Sequence, residues 1–334
     1  MRALVIAEPG TVKVVELHPP TPGPHELRVR VRATALNRAD LLQTMGLYPA
    51  PAGVPENIPG LEYAGEVDAV GPGVTRFHIG DRVMGLVGGG AWSELILVHE
   101  AEAMKIPAAL DFEQAAAVPE AFITAWDALV LQAGLKAGHW VLVHAVASGV
   151  GTAAIQLIAT HGAHAVGTSR SVAKLEQAEQ VAPFEPVHTQ PGVDFASAVR
   201  EATGGKGADV VLDLVGGELM LHTLEATAER GTIMVVGLTA GPTVEDFPLR
   251  TVLSRRLTIK GTTLRSRSHE EKAELARKFE ASVLPGFQSG ALKAVVSRVI
   301  DVAEANEALG AMLRNETFGK VVLAFHRRVV KRGL

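Results

Sequence analysis

Residues 141–152 read VLVHAVASGVGT, and this stretch decides the fold. An apolar strand leads into a tight loop of small side chains, and an amphipathic helix follows as far as Gly162. Such a junction presents free backbone N–H groups and the positive end of a helix to a pyrophosphate, whereas large side chains would hold the phosphates away. The stretch therefore predicts a dinucleotide-binding loop, with candidate contacts at Ser148, Gly149, Val150 and Gly151.

The glycine spacing of this loop leaves one alternative open. A strict GxGxxG pattern would place glycines at positions 146 and 148, where the chain has Val146 and Ser148. A structural turn rich in small residues would fit the same local sequence. The position of the loop between a strand and a helix, with further strand and helix signals behind it, favours dinucleotide binding.

Strand and helix signals alternate through the middle of the chain. We expect strands at residues 140–145, 164–168, 186–188, 210–214, 232–237 and 257–262, with helices between them. This alternation predicts parallel strands joined by right-handed crossovers. Six such strands make a doubly wound Rossmann sheet, so the predicted fold class is α/β.

The two ends of the chain have a different pattern. Before about residue 118, short β-type runs are separated by turns rich in glycine and proline, at 3–6, 12–17, 26–35, 65–70, 81–86 and 92–98. This spacing predicts a mostly antiparallel β domain. The tail, from about residue 263, contains two helix-like and two strand-like segments that we expect to complete it. The predicted domains are therefore residues 1–119 with 263–334, and residues 120–262.

Composition excludes several classes of function. The chain has 334 residues, enough for two cores, and its net charge of −4 provides no field that would attract nucleic acid. It has no cysteine, which excludes disulfides, thiol nucleophiles and every cysteine-ligated metal site. No secretory signal or membrane span is recognised, so we expect a cytoplasmic protein that acts on small molecules. The basic segment 326–332 is expected to be a solvated tail, with anion binding as its alternative.

The end of the second expected strand indicates which dinucleotide is bound. An NAD-binding protein normally has an acidic residue about twenty residues past the loop, where it binds the adenosine ribose. Here the strand ends in residues 168–171, TSRS, and a lysine follows one helical turn later. Hydroxyls and cations can bind a 2′-phosphate, so NADPH is the predicted cofactor, with contacts at Ser169, Arg170, Ser171 and Lys174. The alternative is that Arg170 and Lys174 are merely exposed residues at a helix start.

The chain also resembles a known family over nearly its whole length. The matching segments, in order, are residues 35–41 (ALNRADL), 60–62 (GLE), 80–83 (GDRV), 115–121 (AAAVPEA), 148–156 (SGVGTAAIQ) and 319–323 (GKVVL). They resemble the zinc-free quinone oxidoreductases of the medium-chain dehydrogenase/reductase superfamily, the group that includes zeta-crystallin, and especially the p53-inducible branch.

This resemblance implies a GroES-like catalytic domain formed by both chain ends, a central NADP-binding domain, and a cleft between them for the nicotinamide. It also implies a homodimer or homotetramer, with cofactor sheets joined at their last strands near residues 257–263. Thr124 would lie against the nicotinamide, residues 148–150 on the pyrophosphate, and Ser171 with Lys174 on the 2′-phosphate. The remaining cofactor path would be lined by Gly237, Leu238, Leu264, Arg265, Ser266 and Lys320. Two departures concern the adenosine end: relatives often have tyrosine at Thr189 and glycine at Arg170.

Zinc-containing relatives differ from this chain at the metal site. They have a cysteine where this chain has Asn37 and a histidine where it has Leu61, and the cysteine-rich lobe of a second zinc is missing here. The twelve histidines are scattered, without a pair at ligand spacing beside a carboxylate. We therefore expect no metal.

The expected lack of zinc limits the reaction class. Reduction of an isolated ketone builds up alkoxide charge, which zinc stabilises in this superfamily. Quinones and α,β-unsaturated carbonyls delocalise that charge themselves, so we predict NADPH-dependent reduction of such acceptors by direct hydride transfer. Tyr48 and Asn37 are the candidate hydrogen-bond donors to the developing oxyanion; alternatively, Tyr48 packs on prolines and Asn37 forms a turn. The rival functions are an enone or acryloyl-type reductase and a non-enzymatic dinucleotide- or nucleic-acid-binding protein.

Overall fold

The structure is a computed structural model that describes residues 1–190 and 194–325. The basic segment 326–332 lies outside the described residues. The chain divides into two compact units, which we describe separately. Unit 1 consists of Met1–Glu120 with Arg265–Leu334, and unit 2 is Ala121–Leu264.

Elements are numbered in chain order. The strands are β1 (Arg2–Glu8), β2 (Thr11–Glu16), β3 (Glu26–Ala35), β4 (Glu62–Val70), β5 (Arg82–Leu86), β6 (Leu95–His99), β7 (Met104–Lys105), β8 (Trp140–Val143), β9 (His164–Ser169), β10 (Glu185–His188), β11 (Ala208–Asp213), β12 (Thr227–Val235), β13 (Thr258–Gly261), β14 (Val296–Asp301) and β15 (Lys320–Ala324). The α-helices are α1 (Arg38–Thr44), α2 (Phe112–Ala116), α3 (Pro119–Trp126), α4 (Gly149–Thr160), α5 (Val172–Glu179), α6 (Phe195–Ala202), α7 (Leu219–Ala226), α8 (Leu249–Arg255), α9 (His269–Ser282), α10 (Leu284–Ser289) and α11 (Ala305–Leu313). A π-helical segment, Asp127–Gln132, continues α3, and a single 3₁₀ turn, Val302–Glu304, precedes α11.

Unit 1 contains a seven-stranded sheet in the order β14-β15-β3-β4-β5-β7, in which β6 also pairs with β3. Every pair is antiparallel except β14 with β15. The pairing of β15 with β3 places the carboxy-terminal part of the chain beside its amino-terminal part in one sheet. The prediction of a mostly antiparallel domain is confirmed.

Strand β3 shows why this sheet forms. Its sequence, ELRVRVRATA, alternates apolar and charged residues, and the apolar ones, Leu27, Val29 and Val31, are buried in the core of unit 1. The arginines on its other face pair with carboxylates of β4: Arg28 and Arg30 with Asp68, and Arg32 with Glu66. These ion pairs are diagonal rather than directly opposite, and opposite charges at this spacing add to the stability of the strand pair.

Unit 2 is built on a six-stranded parallel sheet in the order β10-β9-β8-β11-β12-β13. This is the Rossmann strand order, in which β8 and β9 lead outward to one edge and β11 to β13 to the other. All six predicted strands are present, and the α/β fold class is confirmed. Among the helices in the described ranges, 1–190 and 194–325, none is long and apolar enough to cross a membrane.

Several strand boundaries differ from the predictions by a few residues. Helix α3 starts at Pro119 and changes at residue 127 to the wider π-helical turn, where Gln132 donates to the buried Asp127 carboxylate. Strand β12 begins at Thr227 rather than 232, because it pairs with β11 at Ala208 before an irregularity that includes Arg230 at φ 63°.

Candidate functional site

The loop between β8 and α4 has the geometry of an anion-binding site. Ser148 is the N-cap of α4, and its hydroxyl accepts a hydrogen bond from the Gly151 N–H at 3.0 Å. The first-turn N–H groups of Gly149 and Val150 have no hydrogen-bond partner among the residues that the structure describes. Helix N-termini with free amides favour negative charge, so these two amides fit a phosphate.

Gly151 is required by the close approach of the loop backbone. A Cβ atom at this position would lie 2.5 Å from the carbonyl oxygens of both Ala145 and Val146, which is too close for any other residue. The loop is also anchored to the neighbouring strand, because the Val146 N–H donates to the Thr168 carbonyl at 3.0 Å. These contacts fix the position of the loop at the start of α4. These features fit the pyrophosphate of a dinucleotide.

The end of β9 carries the residues predicted to select the 2′-phosphate. Ser171 is the N-cap of α5, and its hydroxyl accepts from the Lys174 N–H at 3.4 Å, so both residues belong to one helix start. The Ser169 hydroxyl accepts from the Ser171 N–H at 3.1 Å. Arg170 is exposed, and within the described ranges nothing forms an ion pair with its guanidinium. The four predicted residues therefore lie together where β9 ends and α5 begins.

The other predicted cofactor contacts in unit 2 are spread over three elements. Thr124 of α3 is buried, and its hydroxyl has no partner in the described part of the chain. Gly237 follows β12, where a Cβ would lie 2.6 Å from the Leu214 carbonyl oxygen, and Leu238 next to it is exposed. Leu264 is buried. An unpaired buried hydroxyl and a tight glycine turn are features that a bound ligand would explain, and all four assignments stay predictions.

Unit 1 contains a buried charged cluster that holds Asn37. The Lys320 ammonium lies 2.6 Å from Glu62 Oε1, 2.5 Å from Asn37 Oδ1 and 3.0 Å from the Leu36 carbonyl oxygen. Asn37 Nδ2 donates to Glu62 Oε1 at 3.0 Å and to the Ala35 carbonyl at 3.4 Å. The amide of Asn37 is therefore occupied on both sides. Its predicted role as an oxyanion donor would require the amide to leave Glu62.

The donor set of this cluster does not fit a zinc ion. By the family resemblance, Asn37 stands where zinc-containing relatives have a metal-binding cysteine, and the chain has no cysteine at all. The oxygens of Asn37 and Glu62 already bind a cation, the Lys320 ammonium. Zinc prefers thiolate and imidazole ligands, and a lysine ammonium in the cluster would repel it. We therefore derive no step through a metal.

Lys320 and Arg265, predicted to line the cofactor path, bind groups of unit 1. Arg265 donates to four oxygens: Gly88 O at 2.7 Å, Gln43 Oε1 at 2.6 Å, and the carbonyls of Tyr48 and Pro49 at 3.2 and 3.4 Å. Its guanidinium also stacks on the Tyr48 ring, at 5.1 Å from the centroid. Its hydrogen bonds fix the loop of residues 46–51, and its place on the cofactor path stays a prediction. Ser266, beside it, is exposed.

Tyr48 lies on that loop and is partly exposed. Burial of its ring raises the pKa of the phenol above its ordinary value, against the opposing effect of Arg265. The hydroxyl therefore stays protonated throughout the neutral range and can donate a hydrogen bond. Arg265 holds the Tyr48 loop in place, and Tyr48 is partly exposed. Both features fit the predicted role of Tyr48 as a hydrogen-bond donor to the acceptor oxygen.

Sequence reasoning assigned no role to three acidic residues of the cluster. Asp40 is buried and accepts from the N–H groups of Asn37 and Gly60; burial is the main cause that raises its pKa to about 6. Glu62 accepts from the Glu120 N–H at 2.8 Å. Burial, followed by the charge of Glu62, raises the pKa of Glu120 to about 8. The available signal was a carboxylate inside an apolar run, as at Glu120 in AAAVPEAFITAW.

Comparisons with known proteins agree with this geometry. Residues 23–108 match the alcohol dehydrogenase GroES-like domain, and residues 149–281 match a family described as zinc-binding dehydrogenase. A quinone oxidoreductase of Pseudomonas aeruginosa is 35% identical over 94% of this chain and 96% of its own. A phthioceranic/hydroxyphthioceranic acid synthase of Mycobacterium tuberculosis is 34% identical over 96% of this chain. The chain spans only 15% of the length of that synthase.

Solved structures of oxidoreductases are also similar to this chain over nearly its whole length. A quinone oxidoreductase of Pseudomonas syringae has a TM-score of 0.87 at 32% identity, covering 97% of this chain and 99% of its own. A mycobacterial protein solved in complex with NADPH has a TM-score of 0.88 at 27% identity, over 97% and 100% of the two chains. The JamJ enoyl reductase has a TM-score of 0.85 at 26% identity, over 97% and 98%.

Proposed function

This chain belongs to the medium-chain dehydrogenase/reductase superfamily, and from that premise we propose that it reduces quinones or similarly conjugated carbonyl compounds with NADPH, by direct hydride transfer without zinc. The single observation that carries the proposal is the Lys320 ammonium bound to Asn37 and Glu62. A lysine in that cluster leaves no place for a Lewis acid, so the acceptor must delocalise the incoming charge through its own conjugation.

NADPH supplies the hydride when bound. The amides of Gly149 and Val150 would hold its pyrophosphate, and the cations Arg170 and Lys174 its 2′-phosphate. The Tyr48 hydroxyl, held on its loop by Arg265, would donate a hydrogen bond to the acceptor oxygen. Asn37 would act indirectly, because its amide keeps Lys320 and Glu62 in place. The NADPH complex of the similar mycobacterial protein supports the choice of cofactor.

The experiment is a comparison of acceptors with the purified protein. NADPH oxidation is followed with 9,10-phenanthrenequinone, with methyl vinyl ketone and with a crotonyl thioester, each before and after prolonged treatment with a zinc chelator. We expect the largest kcat/KM with the quinone and no effect of the chelator. A rate that falls with chelation and returns with zinc would reject the proposal.

An enone or acryloyl-type reductase is the alternative, and two observations favour it. The first curated relatives are long synthases of which this chain covers 15%, and the enoyl reductase structure is similar over the full chain. A higher kcat/KM with the crotonyl thioester than with the quinone would establish this alternative. Binding of NADPH without turnover of any acceptor would instead indicate a dinucleotide-binding protein.

We also propose that the protein is a homodimer joined through the β13 edge of unit 2, or a homotetramer that contains this dimer. Strand β13 is the last strand of its sheet, and all four of its residues are exposed. Beside it in the chain, α8 buries no residue, and its Leu249 and Leu253 are 73% and 80% exposed. An unpaired edge with exposed apolar side chains is a template for pairing with a second copy.

Sedimentation velocity tests the assembly. The Leu253→Glu variant, combined with Ile259→Lys, should sediment as a monomer, whereas the matched change Val14→Glu, at an exposed apolar residue of β2, should not alter the assembly. If the wild-type chain sediments as a monomer at all concentrations, the proposed assembly is rejected. The cytoplasmic location and the absence of nucleic-acid binding stay predictions.

A further inference from the structure

His144 is a buried titratable residue of unit 2 to which the proposed function gives no part. It directly follows β8, and its side chain is completely buried. Its main-chain N–H donates to the Leu212 carbonyl of β11 at 3.1 Å, so the sheet still holds the backbone at this point. The next residue, Ala145, begins the turn that leads to Ser148 and the start of α4. His144 therefore lies where the strand ends and the loop between β8 and α4 begins.

The imidazole of His144 is hydrogen-bonded on both sides. Its Nδ1 lies 2.9 Å from the hydroxyl of Thr168, near the end of β9, and its Nε2 lies 2.9 Å from the hydroxyl of Thr223 in α7. Both threonines are buried. The ring also packs edge-on against the Phe195 ring, with the centroids 5.4 Å apart. These contacts fix the position and the orientation of the imidazole relative to β9 and α7.

The hydrogen bonds also determine which ring nitrogen carries the proton. The Thr223 hydroxyl donates its hydrogen to the Leu219 carbonyl at 3.0 Å, so it can only accept from His144. Nε2 is therefore the donor to Thr223. Burial lowers the pKa of the imidazole, against the opposing charge of Asp213, so the ring is neutral. Nδ1 then accepts from the Thr168 hydroxyl, and the hydrogen bonds run in one direction from β9 to α7.

Ala145 has a backbone conformation that alanine rarely adopts. Its φ is 49°, in the left-handed region, where the Cβ atom of an L-residue is crowded. Such a conformation persists only where the surrounding contacts impose it. Before Ala145, the ring of His144 is bonded to the Thr168 hydroxyl; after it, the Val146 N–H donates to the Thr168 carbonyl at 3.0 Å. Ala145 is thus held between two attachments to the same residue of β9.

The conformation of Ala145 determines the path of the loop. Its carbonyl accepts from the Ser148 N–H at 2.9 Å, and a Cβ at Gly151 would lie 2.5 Å from the same oxygen. If residue 145 relaxed to a negative φ, this carbonyl would turn and both contacts would be lost. The amides of Gly149 and Val150 would then move with the start of α4.

We propose that His144, as its neutral Nε2–H tautomer, is a positioning residue for the cofactor: it imposes the left-handed conformation of Ala145, which sets the amides of Gly149 and Val150 against the pyrophosphate. This inference rests on the proposed function, because it assigns a role in the binding of NADPH. It does not depend on which acceptor is reduced. In this role His144 acts through the backbone and needs no contact with the cofactor.

The coupling between His144 and Ala145 tests this role. His144→Leu removes both hydrogen bonds of the ring and should raise the dissociation constant of NADPH at least about tenfold by calorimetry, the loss expected when one hydrogen bond to a charged group is misplaced. In the Ala145→Gly background, His144→Leu should have a clearly smaller effect, because glycine adopts a positive φ without strain. If His144→Leu does not fold, Thr168→Val, which removes only the bond to Nδ1, carries the same comparison.

Thr203→Val is the matched control for a loss of stability alone. The buried Thr203 hydroxyl, at the C-cap of α6, accepts from the Gly207 N–H at 2.8 Å. Thr203→Val and His144→Leu should both lower the free energy of unfolding in urea, because each leaves a buried polar group without its partner. Only His144→Leu should weaken the binding of NADPH.

Nitrogen NMR of the protein without cofactor measures the tautomer. In a protein that carries isotopically labelled histidine, the signals of His144 are assigned by their absence from a variant at this position. At neutral pH we expect a protonated Nε2 and an unprotonated Nδ1. This measurement depends neither on NADPH nor on turnover.

The results separate the inference from the proposed function. If the wild type binds NADPH and His144→Leu binds it equally well, or if Ala145→Gly leaves the effect of His144→Leu unchanged, the inference is overturned and the proposed function stands. A ring protonated on Nδ1 also overturns it. If the wild type binds no NADPH, both fail. If binding weakens in His144→Leu, weakens less in the Ala145→Gly background, and Nδ1 is unprotonated, His144 is the positioning residue.

Discussion

The ammonium of Lys320 lies 2.6 Å from the carboxylate of Glu62, and the two side chains are 5% and 0% exposed. The pair joins the first residue of β15 to the first residue of β4, which are separated in the sheet by β3. Burial of two charges is tolerated here because each is also hydrogen-bonded: Lys320 to Asn37 and Leu36, and Glu62 to Asn37 and the Glu120 N–H.

Lys320→Met should destabilise the protein strongly. The change leaves Glu62 buried without its cation, which costs on the order of 3–5 kcal/mol in the free energy of unfolding. Urea unfolding measures the loss. Lys278→Met, which removes an exposed pair with Glu274, is the matched control and should change little. The double variant Lys320→Met with Glu62→Gln should recover a large part of the stability. If Lys320→Met and Lys278→Met lowered the free energy of unfolding equally, the ion-pair argument would be contradicted.

Tyr48→Phe should lower kcat with quinone about tenfold or more and leave the affinity for NADPH nearly unchanged, since only the donor to the developing oxyanion is removed. Steady-state kinetics measure kcat with quinone, and calorimetric titration measures the affinity for NADPH. Tyr63 is the other tyrosine of the chain, and its buried hydroxyl has no partner in the described residues. Tyr63→Phe should therefore leave turnover intact. Unchanged turnover in Tyr48→Phe would reduce Tyr48 to a packing residue.

Lys174→Glu should raise the KM for NADPH far more than the KM for NADH, because only NADPH has the 2′-phosphate. A charge-assisted hydrogen bond is worth about 1.5–3 kcal/mol, which corresponds to roughly a tenfold to hundredfold change in KM. Arg170→Glu should act in the same direction. Lys136→Glu, an exposed change elsewhere in unit 2, serves as control. Equal increases for both cofactors would remove the 2′-phosphate assignment.

Gly151→Ala should abolish tight binding of NADPH, because the new methyl group would lie 2.5 Å from two carbonyl oxygens and displace the start of α4. We expect the dissociation constant to rise at least about tenfold by calorimetry, a change of roughly 1.4 kcal/mol. Gly310→Ala in α11 is the matched control, since the added Cβ would meet only the flexible end of Arg314. Normal binding by Gly151→Ala would show that the loop does not hold the pyrophosphate.

Local patterns predicted the parts of the fold that depend on local periodicity. The six strands of unit 2 and the alternation in β3 are short-range signals, because a strand buried on one face or on both shows this in its own residues. The two-residue strand β7 was missed, since Met104 and Lys105 are too few to form a pattern. The π-helical turn at residues 127–132, which contains the side-chain bond of Gln132 to Asp127, has no periodicity that the sequence reveals.

In the candidate site, too, local features were predicted from the sequence and contacts between distant residues were not. The capped loop at Ser148 is a local feature and was found from the sequence. The contacts of Arg265 with Gly88 and Tyr48 join distant parts of the chain, and nothing near residue 265 indicates them. The same holds for the pair of Lys320 and Glu62, which no local pattern indicates. The place of Lys320 on the cofactor path, which the family resemblance implies, stays a prediction.

The discontinuous make-up of unit 1 has a consequence for synthesis on the ribosome. When residues 121–264 emerge they contain every strand of the parallel sheet, whereas the antiparallel sheet still lacks β14 and β15. Until residue 320 is released, the nascent chain contains Glu62 without the cation that compensates it. Contacts so distant in sequence form slowly, so the amino-terminal strands must remain incompletely assembled while the middle of the chain is translated.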